Sequence, residues 1–253
     1  MNWAIRQVWL RYFDVYRKSL VYGLTTTLVM PLMYLTAFGF GLGAIMSEIQ
    51  IGGKLIPYRQ FVFAGILGQT LLFQSYFEAA YGGFVRMYYQ RIFQSISVTP
   101  ITLHEVLWGE LFWDASKATF AGSVLMALAI LVGDFELLPC LIFLPLAFSS
   151  ALMFSALGLL SAAISKTIDD ISYPQLLFVM PMFLFCGVFY PIENLPYGVR
   201  FVVELLPLSA VVGLARSLIL ELPMMSKDIV VFFFWLIALV PSSIHFMARR
   251  LVK

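Results

Sequence analysis

Charge is scarce in this chain. Asp, Glu, Lys and Arg make up 12% of its 253 residues against 61% for hydrophobic types, and the mean hydropathy is +0.91. That is too little charge to cover a water-soluble domain of this size. Cysteine and histidine are scarcer still, with two of each. Cys140 and Cys186 fall in apolar stretches without metal or redox spacing, so they read as small packing residues. His104 and His245 stand far apart and outside any HExxH arrangement, which leaves a metal site without ligands. Also missing is the G-x-S-x-G turn that presents a nucleophilic serine. The nearest approach to a phosphate-cradling loop is Ser165-Lys166-Thr167 after Gly158, which lacks the glycine before the lysine and the required spacing. The chain is therefore expected to carry no catalytic residue and to hold no metal or cofactor of its own.

What is present is long apolar runs. A helix needs about 20 mostly apolar residues to cross roughly 30 Å of hydrocarbon, and such runs fall at 21–43, 60–83, 105–132, 137–163, 172–190 and 229–248. None of the connections shows the ten-residue alternation of a membrane barrel strand. The expected fold class is an all-α integral membrane protein of six transmembrane helices, forming one domain over 1–253. Asn2 to Leu20 interleaves Arg6, Arg11, Asp14, Arg17 and Lys18 with Trp3, Val8, Trp9, Tyr12, Phe13 and Tyr16, the pattern of an amphipathic interfacial helix over 1–20 and not of a cleavable leader.

Basic residues set the orientation, because short cytoplasmic segments carry the excess of Lys and Arg. With both termini inside, the 16 basic residues divide 10 inside, 5 outside and 1 within a span: Arg6, Arg11, Arg17, Lys18, Arg86, Arg91, Lys166, Arg249, Arg250 and Lys253 against Lys54, Arg59, Arg200, Arg216 and Lys227, with Lys117 in the third run. Topology and contact with membrane lipids account for these cations, so no nucleic-acid partner is expected.

Two connections stand out. In 84–104, Val85, Tyr88, Tyr89, Ile92 and Ile96 recur at helical spacing with Arg86, Gln90, Gln94 and Ser97 between them, and Thr99-Pro100 is a start signal for the following helix. This predicts a short amphipathic cytoplasmic helix over about 84–97, either resting in the headgroups or docking a soluble partner. Over 191–228, Pro191, Pro196, Pro207 and Pro223 punctuate a mostly apolar stretch whose Leu208–Leu220 segment is too short to cross a membrane. An outer re-entrant helical hairpin fits, as a cap or as a gate.

Ionisable residues inside spans usually turn toward the bundle interior. Glu110, Asp114 and Lys117 follow i, i+4, i+7 on one face of the third span, and Glu78 ends the second. They predict an intramembrane polar cluster in which Lys117 pairs with Asp114 or Glu78. Tyr34, Phe38, Phe73, Tyr76, Phe77 and Tyr81 either line a path for sugar rings or lipid tails or pack as ordinary aromatics.

Taken together, the chain resembles the transmembrane subunit of a type-2 ABC exporter, in the permease group of nodulation-factor, polysaccharide and drug exporters. The resemblance is carried by the order of these elements, by Lys166-Thr167-Ile168-Asp169-Asp170-Ile171-Ser172, by Gly187-Val188-Phe189-Tyr190-Pro191-Ile192-Glu193-Asn194-Leu195-Pro196, and by Leu206-Pro207-Leu208-Ser209 with Arg216. Where many members carry a polar residue, often histidine, after that Leu-Pro-Leu-Ser, this chain has Ala210. The resemblance implies two permease chains with two separate ABC ATPase subunits that bind the ATP and Mg, in a bacterial-type inner membrane. It also implies that Arg86, Tyr89, Arg91, Ile92 and Ile96 couple to the ATPase, with Lys166, Asp169 and Asp170 as a second contact. Tyr190, Pro191, Pro196, Pro207 and Arg216 would form the outer gate. The implied cargo is an amphiphilic glycan, a lipid-linked oligosaccharide or a hydrophobic compound. A secondary carrier would show two similar halves, which are not visible here; a scaffold that transports nothing is the remaining alternative.

Overall fold

The computed structural model describes residues 2–51 and 53–252; Met1, Gly52, Lys253 and the side chains of Gln94, Ser97 and Val252 lie outside the described residues. Helix α1 (Trp3–Lys18) is followed by α2 (Leu20–Tyr34), which runs on through π-helical turns at Leu35–Gly41 to Leu42–Ala44. Two short antiparallel strands, β1 (Glu48–Ile51) and β2 (Lys54–Pro57), set Ile49 opposite Ile56, with Gly53 at φ +82° in the turn. Helix α3 (Tyr58–Phe77) continues through wide turns at Glu78–Gly82 and Val85–Tyr89, and α4 is the short Ile92–Ser97. The longest helices are α5 (Leu103–Val132) and α6 (Leu137–Ile164). A shorter run combines α7 (Ser172–Pro174), wide turns at Gln175–Val179 and α8 (Met180–Phe185). After it come α9 (Tyr197–Glu204), α10 (Pro207–Ile219) and α11 (Ser226–Val252).

Four of these runs are long and apolar enough to cross a membrane, namely Leu20–Ala44, Leu103–Val132, Leu137–Ile164 and Ser226–Leu251, and the pair α9–α10, bent by 82°, makes a fifth if counted as one. Helix α3 is not among them, since Arg59, Gln60, Gln69 and Gln74 dilute it. It is also the helix whose residues are most completely buried, packed against α5, α6 and α10. A helix surrounded by protein can carry polar side chains that a lipid-facing one cannot.

Close approach of the helices depends on glycine at particular positions. A Cβ at Gly158 of α6 would lie 2.5 Å from the Tyr76 carbonyl of α3, and one at Gly109 of α5 would lie 2.6 Å from Val8 of α1. The second contact seats the stripe Ala4, Val8 and Tyr12 of α1 against α5, while Trp3, Arg6, Arg11 and Asp14 stay exposed.

Several expected boundaries move. The stretch 84–97 is not one helix: the wide turns inherited from α3 end at Tyr89, Arg91 adopts φ +51°, and α4 starts afresh, which lets Phe93 sink to 1% exposure. The N-cap of α5 is Thr102, not Thr99. Glu105 closes a capping box with Thr102, accepting its N–H at 2.8 Å, whereas the Thr99 hydroxyl donates to the Ile96 carbonyl at 2.6 Å and finishes α4. The run expected over 172–190 stops at Phe185, because Gly187 turns to φ +72° and the chain bends back toward α10.

Candidate functional site

In the turns that continue the C-terminal end of α3, Arg86 points into the protein and is 11% exposed. Its Nε donates to Glu110 Oε1 at 2.6 Å, Nη1 to Glu78 Oε1 at 3.0 Å and Nη2 to the Glu78 carbonyl at 3.2 Å; Asp114 Oδ1 is 3.6 Å from Nη2. Lys117 donates to Glu78 Oε2 at 2.5 Å. The Tyr12 and Tyr16 rings of α1 lie 5.1 and 5.2 Å from the Arg86 and Lys117 cations. One guanidinium thus ties together the end of α3, the segment leading to α4, and α5, with α1 packed across it. Glu110 and Asp114 are fully buried, and Tyr12 Oη, Glu110 Oε2 and both Asp114 oxygens have no hydrogen-bond partner among the described residues. Three carboxylates share two cations here, an arrangement that tolerates loss of a cation badly.

Beyond this anchor, Tyr89 is 69% and Val98 87% exposed, and Arg91 is exposed between them. Ile92 and Ile96 are only partly exposed. The loop between α6 and α7 is held by Asp170, whose Oδ2 accepts the backbone N–H groups of Lys166 and Thr167, both at 2.9 Å. Lys166 and Asp169 are exposed. Arg250 of α11 donates to the carbonyls of Ala162 and Ala163 at 2.5 and 2.8 Å and to Tyr88 Oη at 2.7 Å, joining the end of α6 to the segment before α4.

At the opposite end of α3, Arg216 of α10 is 8% exposed, lies 3.6 Å above the Phe61 ring, and donates to the carbonyls of Gly187 and Val188 at 2.5 and 3.3 Å. Tyr58 Oη donates to the Phe189 carbonyl at 2.9 Å and Tyr190 Oη to the Leu184 carbonyl at 3.0 Å, fixing the bend after α8. Pro191 precedes a tight turn at Ile192–Asn194, Pro196 precedes α9, and Pro207 is the first residue of α10. Ser209 donates to the Val203 carbonyl at 2.6 Å and Trp235 of α11 to the Leu205 carbonyl at 2.8 Å, so the α9–α10 break is bonded on both sides.

Residues 4–220 match the model of the ABC-2 type transporter family. The chain belongs to that family. Among its relatives, "Nodulation protein J" of Sinorhizobium fredii is 31% identical over 223 residues, 88% of this chain and 82% of that protein. The protein of the same name from Rhizobium meliloti is 28% identical over 99% of this chain and 94% of its own length. "Inner membrane transport permease YadH" of Escherichia coli is 23% identical over 76% and 73%. The ABC-2 permease described here is a transmembrane subunit of an ABC transporter, with several apolar helices.

Within this ABC-2 permease the expected polar cluster of Glu78, Glu110, Asp114 and Lys117 comes together, and Lys117 chooses Glu78 over Asp114. Arg86, expected among docking side chains, is instead the hub of that cluster, because the buried Glu110 and Asp114 and the partly buried Glu78 offer it more than water does. Arg216, counted among outer loop cations, is buried under the hairpin by the two carbonyls it serves. Of the aromatic set, Tyr76 is fully buried with its hydroxyl donating to Ser161, while Tyr34, Phe38, Phe73 and Phe77 join Phe183 and Phe189 in ring contacts 4.1–6.2 Å apart. The β1–β2 hairpin, not among the expected elements, has a sequence signal in Gly52-Gly53 between Ile49-Gln50-Ile51 and Leu55-Ile56. The ion pair of Arg59 with Asp134, 75 positions apart, closes the loop after α5 onto α3 and has no local sequence signal.

Proposed function

We propose that this permease is the membrane half of an ATP-driven exporter with six spans, both termini cytoplasmic, in a bacterial inner membrane. The spans are α2, α3, α5, α6, the α7–α8 run and α11, with α1 lying in the inner interface and α9–α10 re-entering from outside. It works as a pair of permeases on two separate ABC ATPase subunits that bind ATP and Mg. The observation that carries this reading is the Arg86 hub behind an exposed tip. Tyr89, Arg91 and Val98 project from a segment whose root is clamped to α3 and α5 by buried ion pairs, so a push on the tip reaches the bundle without being absorbed locally. The cargo is an amphiphilic glycan, a lipid-linked oligosaccharide or a hydrophobic compound. The partly exposed rings of Tyr34, Phe38, Phe77 and Tyr81 support an amphiphile over an ion.

The test is purification in mild detergent with identification of what accompanies the chain. An ABC ATPase in equal copy number is expected with the wild type and absent with the double variant Tyr89→Ala/Arg91→Glu, whose side chains are exposed and whose removal leaves the fold intact. Transport by the permease reconstituted alone would favour a secondary carrier and defeat the proposal.

A further inference from the structure

Where α5 begins and α6 and α11 end, the fold opens a groove of about 930 Å³. Both histidines of the chain, His104 and His245, which lie 141 positions apart (245 − 104), line it together with Lys166, Arg249 and Arg250, and no acidic residue does. Arg250 is engaged with the carbonyls ending α6 and with Tyr88, while Asp170 is turned to backbone N–H groups in its own loop and Asp169, the acid nearest in sequence to Lys166, is not part of the groove lining. That leaves Lys166, Arg249 and the two imidazoles facing the groove without a carboxylate among its lining.

Its walls are apolar as well as basic. Ile164 is 61% and Phe246 50% exposed at the rim. On α11, exposed Val230, Phe234, Ile237, Pro241 and His245 follow one another at spacings of four, three, four and four, a single helical face that runs from the membrane span into the groove. A cationic pocket at the foot of an exposed apolar stripe matches a molecule with a phosphate at one end and acyl chains at the other.

We propose that this groove binds the phosphate headgroup of an anionic phospholipid of the inner leaflet, with its acyl chains along the exposed face of α11. The siting in the inner leaflet rests on the orientation given under Proposed function; the binding chemistry does not. A peptide acid from a partner would find the cations but would leave the α11 stripe unused, which is why the lipid is the better occupant.

The full-length permease, with any ATPase that accompanies it, is titrated with phosphatidylglycerol and with phosphatidylcholine of identical acyl chains, and bound lipid is counted by native mass spectrometry. Wild type should retain phosphatidylglycerol in preference. The variant Lys166→Gln/Arg249→Gln should weaken that preference about thirtyfold, the effect of two basic contacts. The conservative pair Lys166→Arg/Arg249→Lys should keep it, and so should Arg6→Gln/Arg11→Gln, which removes two charges from the exposed face of α1. Equal retention of the two lipids, an equal loss with the α1 variant, or equal protection by inorganic phosphate alone would overturn the proposal. So would a Lys166→Gln/Arg249→Gln protein that keeps its lipid preference but loses its ATPase. Because no export is measured, failure here leaves the exporter reading standing, and accessibility labelling of the termini tests orientation separately.

Discussion

Arg86 and Asp114 show how differently two buried charges in one cluster can matter. Arg86 satisfies Glu78 and Glu110 directly, so Arg86→Ala strands two carboxylates in a space with no other strong donor except Lys117. A loss of about 3–5 kcal/mol is expected from breaking such a pair. Asp114 is the reverse case: it is fully buried, its oxygens accept no hydrogen bond, and it is a third carboxyl group beside two cations. Asp114→Asn keeps the shape and breaks no hydrogen bond, so stability within about 1 kcal/mol of wild type, or above it, is expected. Thermal unfolding of both variants in one detergent checks the pair; equal destabilisation would mean that Asp114 is a needed partner. Arg216 follows the logic of Arg86 with carbonyls in place of carboxylates: its guanidinium lies over the Phe61 ring and a single nitrogen, Nη2, donates to both Gly187 and Val188.

Among the elements, the loop between α6 and α7 depends on a single side chain. The backbone N–H of Thr167, and secondarily that of Lys166, hold the Asp170 carboxyl below the usual carboxylate range. A depressed folded value means the loop's stabilisation is complete above about pH 4, the ordinary range, and is lost as pH falls through the lower folded value. Amide exchange at Lys166 and Thr167 should therefore stay slow from neutral pH down to that range and lose protection below it, whereas Asp170→Ala should lose it at every pH. Protection in the alanine variant equal to wild type would show the loop held by something else. How much of such elements could be read beforehand depended on what fixes them. Helices α2, α5, α6 and α11 were visible because a long apolar run has few alternatives in a membrane. The i, i+4, i+7 spacing likewise put Glu110, Asp114 and Lys117 on one face before any contact was known. Arg86 was misplaced because the sequence shows its charge but not the left-handed turn at Arg91 that separates it from α4. The end of α8 at Phe185 was hidden for a similar reason: it depends on Arg216, 31 positions later (216 − 185), reaching back to two carbonyls. The groove joining His104 to His245 is long-range in the same sense, and periodicity carries no information about it.

Across the whole molecule, α3 is the member that both ends share. Its first half meets Arg216 through Phe61 and the turns that continue its other end supply Glu78, so a displacement at the Tyr89–Arg91 tip has a path of buried residues to the α9–α10 pair. Glu78 is the narrowest point of that path because one carboxylate holds both Arg86 and Lys117. Glu78→Gln preserves size and one acceptor but removes both ion pairs, leaving the tip residues Tyr89 and Arg91 untouched. If the tip drives the bundle through this carboxylate, the variant should still bring down its ATPase and still support ATP hydrolysis, while cargo exported per ATP falls several-fold. Proteoliposomes that report phosphate release and cargo movement in the same sample measure this ratio. An unchanged ratio would mean that force travels by another route, with α1 across the cluster the next element to cut. A parallel fall in hydrolysis and export would instead place Glu78 in the docking of the ATPase.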